Sequence, residues 1–310
     1  MNEAYVDTVR LLLAVAPAVF QSSRFAMKGG TALNLFVQDM PRLSVDIDVV
    51  FTDHGPDRAE ALRLIGIEVA AARKAISAMG FRAILPTTKT GDDVKLLVSA
   101  NGVQVKIEIN FVFRGTVMPV KRAQLSAAAQ ELFTTDLALP MLDSSEIYGS
   151  KLVAAMDRQH PRDMFDVMKM LEVFGWQSSF VDCFVAYLAG HNRPVHEVLF
   201  PKVLPLEQAF TNEFSGMTRD DVDVAVLRST QAQLISELPK MLTSEHKEFL
   251  LSLTRAEPDW KLLPFAHLQE LPAIQWKLMN LRKLRSRNRA RFDEQYDALA
   301  ARFPSHHAKR

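Results

Sequence analysis

Asp46 and Asp48, one residue apart, are the side chains in this sequence whose type and spacing best suit chemistry. They sit in Val45-Asp46-Ile47-Asp48-Val49-Val50-Phe51, where apolar residues alternate and then run on, the pattern of a strand entering a sheet core. Side chains two apart on a strand share a face. The two carboxylates therefore point the same way, while Val45, Ile47 and Val49 point into the core. Same-face carboxylates repel one another and are poor strand formers. A divalent cation relieves that repulsion. Mg²⁺, or Mn²⁺ in its place, takes oxygens from a few carboxylates and completes its shell with substrate phosphates. Two such ions can activate an attacking hydroxyl and stabilise a leaving pyrophosphate. Taken alone, the pair equally suits a solvated strand end, or the Asp-x-Asp of glycosyltransferases and phosphatases.

The residues just upstream narrow the choice. Lys28-Gly29-Gly30-Thr31 follows a short strand, Phe25 to Lys28, and opens a helical stretch from Thr31 to Val37. A strand that turns through glycines into a helix exposes backbone N–H groups that hold phosphate, and glycine lets the backbone approach closely. Thr31 is expected to cap that helix or offer its hydroxyl to phosphate. A third acid is expected from Val103 to Phe113, whose clean alternation puts Lys106, Glu108 and Asn110 on the polar face. Glu108 is that acid, against the plainer reading of a solvated edge strand. Asp92 and Asp93 are its rivals, in a turn beside Gly91. Ser44, two residues before Asp46, is placed by alternation on the metal-facing side. A phosphate added there would crowd the site and repel incoming nucleotide. Arg42 either contacts phosphate or pairs with an acid.

These residues need a scaffold, and the rest of the chain supplies one. Glu3 to Phe20 and Glu60 to Met79 have helical spacing; Phe81 to Pro86 and Val94 to Ala100 read as strands, and Asn101-Gly102 marks a hairpin turn. Beyond about residue 140 the helical signals dominate: Glu146 to Arg158, Arg162 to Phe174, Phe180 to Ala189, Asp220 to Leu242, Glu245 to Arg255 and Pro272 to Ala301. The expected class is α+β: a mixed sheet with flanking helices over residues 1–142, then a mostly helical domain over 143–310. The 310 residues are 48% hydrophobic, enough for two such cores. Lys plus Arg is 37 against 36 for Asp plus Glu, a formal net charge of +1 that neither advertises nor excludes nucleic acid. The one cysteine, Cys183, makes neither an intrachain disulfide nor a zinc cluster, so a reducing, cytoplasmic setting is expected. Val9 to Phe20 is too short to span a bilayer, and no membrane partner is expected.

Gly-Gly-Thr-Ala-Leu followed by Arg-x-Ser-x-Asp-Ile-Asp resembles the AbiEii/AbiGii toxin family of nucleotidyltransferases, within the DNA polymerase β-like superfamily. The likeness continues through Lys106-Ile107-Glu108-Ile109-Asn110, Gly149 to Arg158, Arg162 to Val167 and Trp276 to Leu281. It implies a nucleotidyltransferase-type sheet, NTP as substrate, and a toxin of a toxin–antitoxin or abortive-infection pair. It further implies transfer to RNA, with tRNA 3′ ends as acceptors, and an antitoxin encoded nearby. On the same basis Lys151 is matched to a phosphate-contacting lysine, with Asp163 and Asp166 orienting it or the nucleotide. A structural bridge to Arg158 or Arg162 is the competing reading for the two aspartates. Glu108 stands where the wider superfamily has aspartate.

The late helix carries Lys277, Arg282, Lys283, Arg285, Arg287, Arg289 and Arg291, a basic run broken only at Asp293. Basic side chains at helical spacing can track a phosphate backbone, and this run is the candidate RNA face; a solvated helix face is the bland alternative. The leading expectation is thus transfer of nucleotides from NTP to RNA. The alternatives are transfer to a protein hydroxyl, or a binding module acting through a partner.

Overall fold

The computed structural model describes residues 1–86 and 94–303, so Asp92 and Asp93 lie outside the described residues. The chain forms two compact units. The first comprises 1–147 together with 207–224; the second comprises 148–206 and 225–310. A single boundary at residue 142 does not capture this, because residues 207–224 leave the helical unit and rejoin the first.

In the first unit the described elements run α1 (Glu3–Val19), β1 (Phe25–Lys28), α2 (Gly29–Ala32), β2 (Asp46–Phe51), α3 (Arg58–Ala78), β3 (Arg82–Ile84), β4 (Val94–Ala100), β5 (Val103–Asn110), β6 (Lys121–Gln124), α4 (Ala127–Phe133) and β7 (Ala138–Met141). The seven strands form one sheet in the order β3-β4-β5-β2-β1-β7-β6. It is mixed: β2 runs antiparallel to β1 and parallel to β5. The strand with the aspartates is therefore central, and its apolar side chains are sealed: Ile47, Val49 and Phe51 are fully buried. α1 packs against β5 and β2, and α3 packs against α1.

Local chemistry explains where elements start and stop. Asn101 and Gly102 both take positive φ, 49° and 81°, so the β4–β5 hairpin turns as its sequence demands. β5 ends at Asn110 rather than running to Phe113, because the Asn110 carboxamide accepts from the N–H groups of Val112 and Phe113, 3.0 Å each, and turns the chain. β6 and β7 lacked a strand signal; each is only four residues long. The helix after the glycines starts at Gly29, two residues before Thr31, and continues as a π-helical turn over Leu33–Val37.

α5 (Ser144–Arg158) leads into the second unit, which contains α6 (Pro161–Phe174), α7 (Ser178–Ala189) and α8 (Val195–Leu199). After α9 (Glu207–Glu213), which belongs to the first unit, come α10 (Val224–Met241), α11 (Ser244–Thr254), α12 (Pro272–Arg287) and α13 (Arg289–Ala300). α5 and α7 approach closely at Gly149, where a Cβ would lie 2.5 Å from that of Cys183. The single helix expected over Pro272 to Ala301 is two: Asn288 leaves helical geometry at φ −149°, and its side chain caps α13 by accepting from the Arg291 N–H. None of the described helices is long and apolar enough to cross a membrane.

Candidate active site

Strand register sets the site. Lys28, Asp48, Glu108 and Lys95 are successive partners across β1, β2, β5 and β4, and Asp46 pairs with Lys106. Paired residues share a face, so the three expected acids meet on one side of the sheet with three lysines among them. Lys95 and Lys106 bring their ammonium groups to 3.1 and 3.3 Å from the Glu108 carboxylate, and Lys106 lies 4.0 Å from Asp46. The charge of Glu108, and to a smaller extent that of Asp46, is thus offset within the protein. The sequence reading missed this role of the lysines, although their alternation with Glu108 on the two strands was the signal.

Asp48 is seated on the glycine turn. Gly29 has φ +75°, and a Cβ built there would fall 2.0 Å from Asp48 Oδ2. Only glycine fits, for backbone and for space. The second glycine is required by a different contact: a Cβ on Gly30 would meet Ser44 Oγ at 2.9 Å and Arg42 Nη2 at 3.0 Å. Arg42, 2% exposed, also donates from Nη1 to the Leu43 carbonyl. Ser44 therefore does face the glycine turn, though residues 43–45 are not strand, so alternation is not what places it. Thr31 does not serve as the helix cap; Lys28 holds that position. Thr31 is fully buried, and its hydroxyl donates 2.5 Å to the Asp46 carbonyl and ties the helix to β2.

The segment before Asp46 is braced from far along the chain. Leu43 N–H donates to the Met217 carbonyl at 2.8 Å, Arg219 N–H to the Pro41 carbonyl at 3.0 Å, and Arg42 bridges Thr218 in antiparallel fashion. This is what the excursion of residues 207–224 accomplishes.

The donor set is all hard oxygen, as Mg²⁺ or Mn²⁺ requires. Asp46 and Asp48, side by side with Asp48 on the glycine cradle, fit such an ion. Glu108 fits less well, its carboxylate being engaged by two lysines. Among the described residues no three His, Cys, Asp or Glu side chains group closely enough to hold a metal.

Replacing Gly29 by alanine tests the cradle. The left-handed φ costs about 1–2 kcal/mol with a Cβ, and Asp48 must move aside. Any reaction that relies on Asp48 is expected to slow about 10²-fold, as misplacement of a reacting group by about 1 Å does. Melting curves and initial rates on the same sample check it; unchanged activity would mean that Asp48 need not rest on the turn.

Within the second unit the structure brings Lys151, Asp163 and Asp166 together. Lys151 Nζ is 2.9 Å from Asp163 Oδ1 and 2.9 Å from Asp166 Oδ2, and Arg158 Nε is 2.6 Å from Asp163 Oδ2. Both expected arrangements of Asp163, around Lys151 and with Arg158, thus coexist. Lys151 is 7% exposed and the two aspartates are buried. Burial alone would raise the Asp163 pKa; the charges of Lys151 and Arg158 outweigh it and hold the carboxyl far below its usual range.

The expected RNA face is not continuous. Lys277 is buried, donates from Nζ to the Arg193 carbonyl, and burial pushes its pKa down to about 8. Its place on the inner face of α12, beside Leu278 and Leu281, is the reason. Arg285 pairs with Glu257 at 2.8 Å and Arg289 with Asp293 at 2.8 Å, both lying near the Phe292 ring. Arg282, Lys283 and Arg287 are exposed.

A mixed sheet whose central strand presents Asp-x-Asp beside a Gly-Gly helix start, followed by a helical unit, has the nucleotidyltransferase fold. MenT4, a nucleotidyltransferase toxin from Mycobacterium tuberculosis H37Rv, has a similar fold at TM-score 0.59 and 15% identity, over 90% of this chain and 94% of that one. The chain belongs to the nucleotidyl transferase AbiEii toxin family, Type IV TA system, whose family model matches residues 10–298. A chain of the E. coli MS115-1 CdnC:HORMA-deltaN complex aligns over 87% of this chain and 88% of its own length at 15% identity, but its TM-score of 0.21 carries no argument about the fold. No curated protein sequence matches.

Proposed function

We propose that this toxin transfers nucleotides from NTP to RNA, with a tRNA 3′ end as acceptor, and that a cognate antitoxin encoded nearby relieves the resulting growth arrest in the cytoplasm. The observation that carries the reading is the seating of the Asp48 carboxylate on the Gly29 turn, beside Asp46. The reaction joins an RNA hydroxyl oxygen to the α-phosphorus of the NTP and breaks its bond to the bridging oxygen; pyrophosphate leaves and the hydroxyl proton passes to solvent. Asp46 and Asp48 would hold divalent Mg²⁺, or Mn²⁺, which when bound supplies charge neutralisation for the phosphates and a more acidic attacking hydroxyl. Gly29 and Gly30 let the phosphates approach the backbone, where N–H groups at the helix start donate. Lys28, in the same row as Asp48, and Arg42, over Gly30, add positive charge there. Lys151, held by Asp163 and Asp166, is assigned to the catalytic set through the family motif.

RNA is preferred as acceptor because residues 271–292 contain seven Lys or Arg and no Asp or Glu, in a chain of net charge only +1. Each NTP in turn, labelled on the α-phosphate, incubated with the protein, Mg²⁺, total RNA and cell protein, decides the matter. Label in RNA, mapped to ends by sequencing, supports the reading. Label in protein replaces the acceptor, and no label anywhere argues for a binding module.

Ser44 gives a further test of where the phosphates lie. Ser44→Glu puts a carboxylate beside Gly30 and is expected to lower transfer about 10²-fold by like-charge repulsion, whereas Ser44→Ala should stay near the parent. Equal rates for all three proteins would place the triphosphate elsewhere.

A further inference from the structure

α12 has a solvent-facing ridge that its packing does not explain. At about 100° per residue, Trp276, Met279, Asn280, Lys283 and Arg287 fall within one arc of roughly a quarter of the helix circumference, with the buried Ile274, Leu278 and Leu281 on the far side and the buried Ala273 and Lys277 on its flank. Trp276 is 54% exposed and Met279 49%. The other two tryptophans have internal partners: Trp176 donates to Glu237 at 3.0 Å, and Trp260 packs on Phe249 with ring centroids 6.0 Å apart. Among the described residues Arg282, Lys283 and Arg287 have no acidic partner, in contrast to Arg285 and Arg289 on the other side of the helix pair.

We propose that this ridge is a platform for unpaired RNA, on which a base stacks against Trp276 while the adjoining phosphates run along Lys283 and Arg287, with Arg282 beside them. The proposal rests on the reading of RNA as acceptor and names the surface that receives it. An exposed aromatic followed by cations at helical spacing is what single-stranded nucleic acid requires: a π-face for any base and positive charge for the backbone. The rise of 1.5 Å per residue puts Lys283 about 10 Å and Arg287 about 16 Å from Trp276 along the axis, a span of a few nucleotides. A second copy of the chain fits this ridge poorly, because a twofold contact would set the same unpaired cations against each other.

The test uses full-length protein carrying Asp48→Asn, so that turnover does not interfere, titrated with a 12-nucleotide unpaired RNA while intrinsic fluorescence is followed. Quenching is expected. Trp276→Phe should abolish the quench yet retain most of the affinity, and Trp276→Ala should weaken binding about tenfold. Lys283→Glu with Arg287→Glu should weaken binding further and flatten the dependence of log Kd on log salt by about 1.4, two phosphate contacts on a single strand. A quench that persists in Trp276→Phe, or an unchanged Kd in Trp276→Ala, overturns the platform. Concentration-dependent self-association lost in Trp276→Ala, without RNA binding, would assign the ridge to a second copy; capture of an acidic protein there would assign it to a protein partner. Loss of the platform with label still entering RNA leaves the acceptor reading intact, and RNA binding with label entering only protein does the reverse.

Discussion

Asp48→Asn is expected to lower nucleotide transfer about 10³-fold while leaving the melting temperature close to that of the parent. On the proposed reading, the rate effect follows from the loss of charge on one of the two carboxylates that would hold the metal ion, a contribution of several kcal/mol in sites of this chemistry. Stability is spared for a geometric reason. Asp48 is half-buried on the sheet face, asparagine has nearly its shape, and the neighbouring Ile47 and Val49, which anchor β2, are untouched. Asp46→Asn should behave in the same way. Glu108→Gln should lose less, about tenfold, because that carboxylate is engaged by Lys95 and Lys106. Rates at saturating NTP and Mg²⁺, with melting curves on the same preparations, make the comparison. A Glu108→Gln loss as deep as that of Asp48→Asn would restore Glu108 as a third holder of the ion, and a drop in melting temperature parallel to the drop in rate would make the pair structural.

Lys151→Met is expected to differ from Asp48→Asn by a large loss of stability. Removing the ammonium leaves the buried carboxylates of Asp163 and Asp166 without the cation 2.9 Å from each. Breaking a buried ion pair from one side costs about 3–5 kcal/mol. The pH dependence should also weaken. In the parent, the Asp163 pKa is depressed on folding, so its stabilisation is full above the unfolded value near 3.9 and is lost as pH falls toward the folded value. In Lys151→Met one of the two cations that hold the Asp163 carboxyl down is gone while Arg158 remains, so less stability is lost on acidification. Stability of the variant should then fall less steeply than that of the parent as pH drops below about 4. The triple variant Lys151→Met, Asp163→Asn, Asp166→Asn should recover much of the loss, since the whole charged group is gone. Urea melts at about pH 7 and pH 3 read all three effects. A loss under about 1 kcal/mol with an unchanged pH slope would mean that water reaches these groups and screens them.

Much of the first unit was legible because its structural signals are local. Alternation around Asp46 and Asp48 located β2; the glycine pair located the turn; Asn101-Gly102 located the hairpin. What stayed hidden depended on distant pairing. The lysines that neutralise the acids come from β4 and β5, and only the parallel register of β5 on β2 puts Lys106 beside Asp46. The split of the last helix at Asn288 and the inward turn of Lys277 were equally invisible to a count of charges, because burial of one lysine stem on α12 is a matter of which face packs. Trp276 was read as part of a motif, and its exposure needed the helix phase fixed by packing.

The return of residues 207–224 to the first unit bears on how the protein is made. A ribosome that has released residues 1–147 has delivered both aspartates and both glycines, yet Met217, whose carbonyl holds Leu43, is still 70 residues away (217 − 147). At about 5–20 residues per second that is a delay of several seconds. Premature termination anywhere in that interval releases a polypeptide with the acids but without the strap that fixes the arm leading to them.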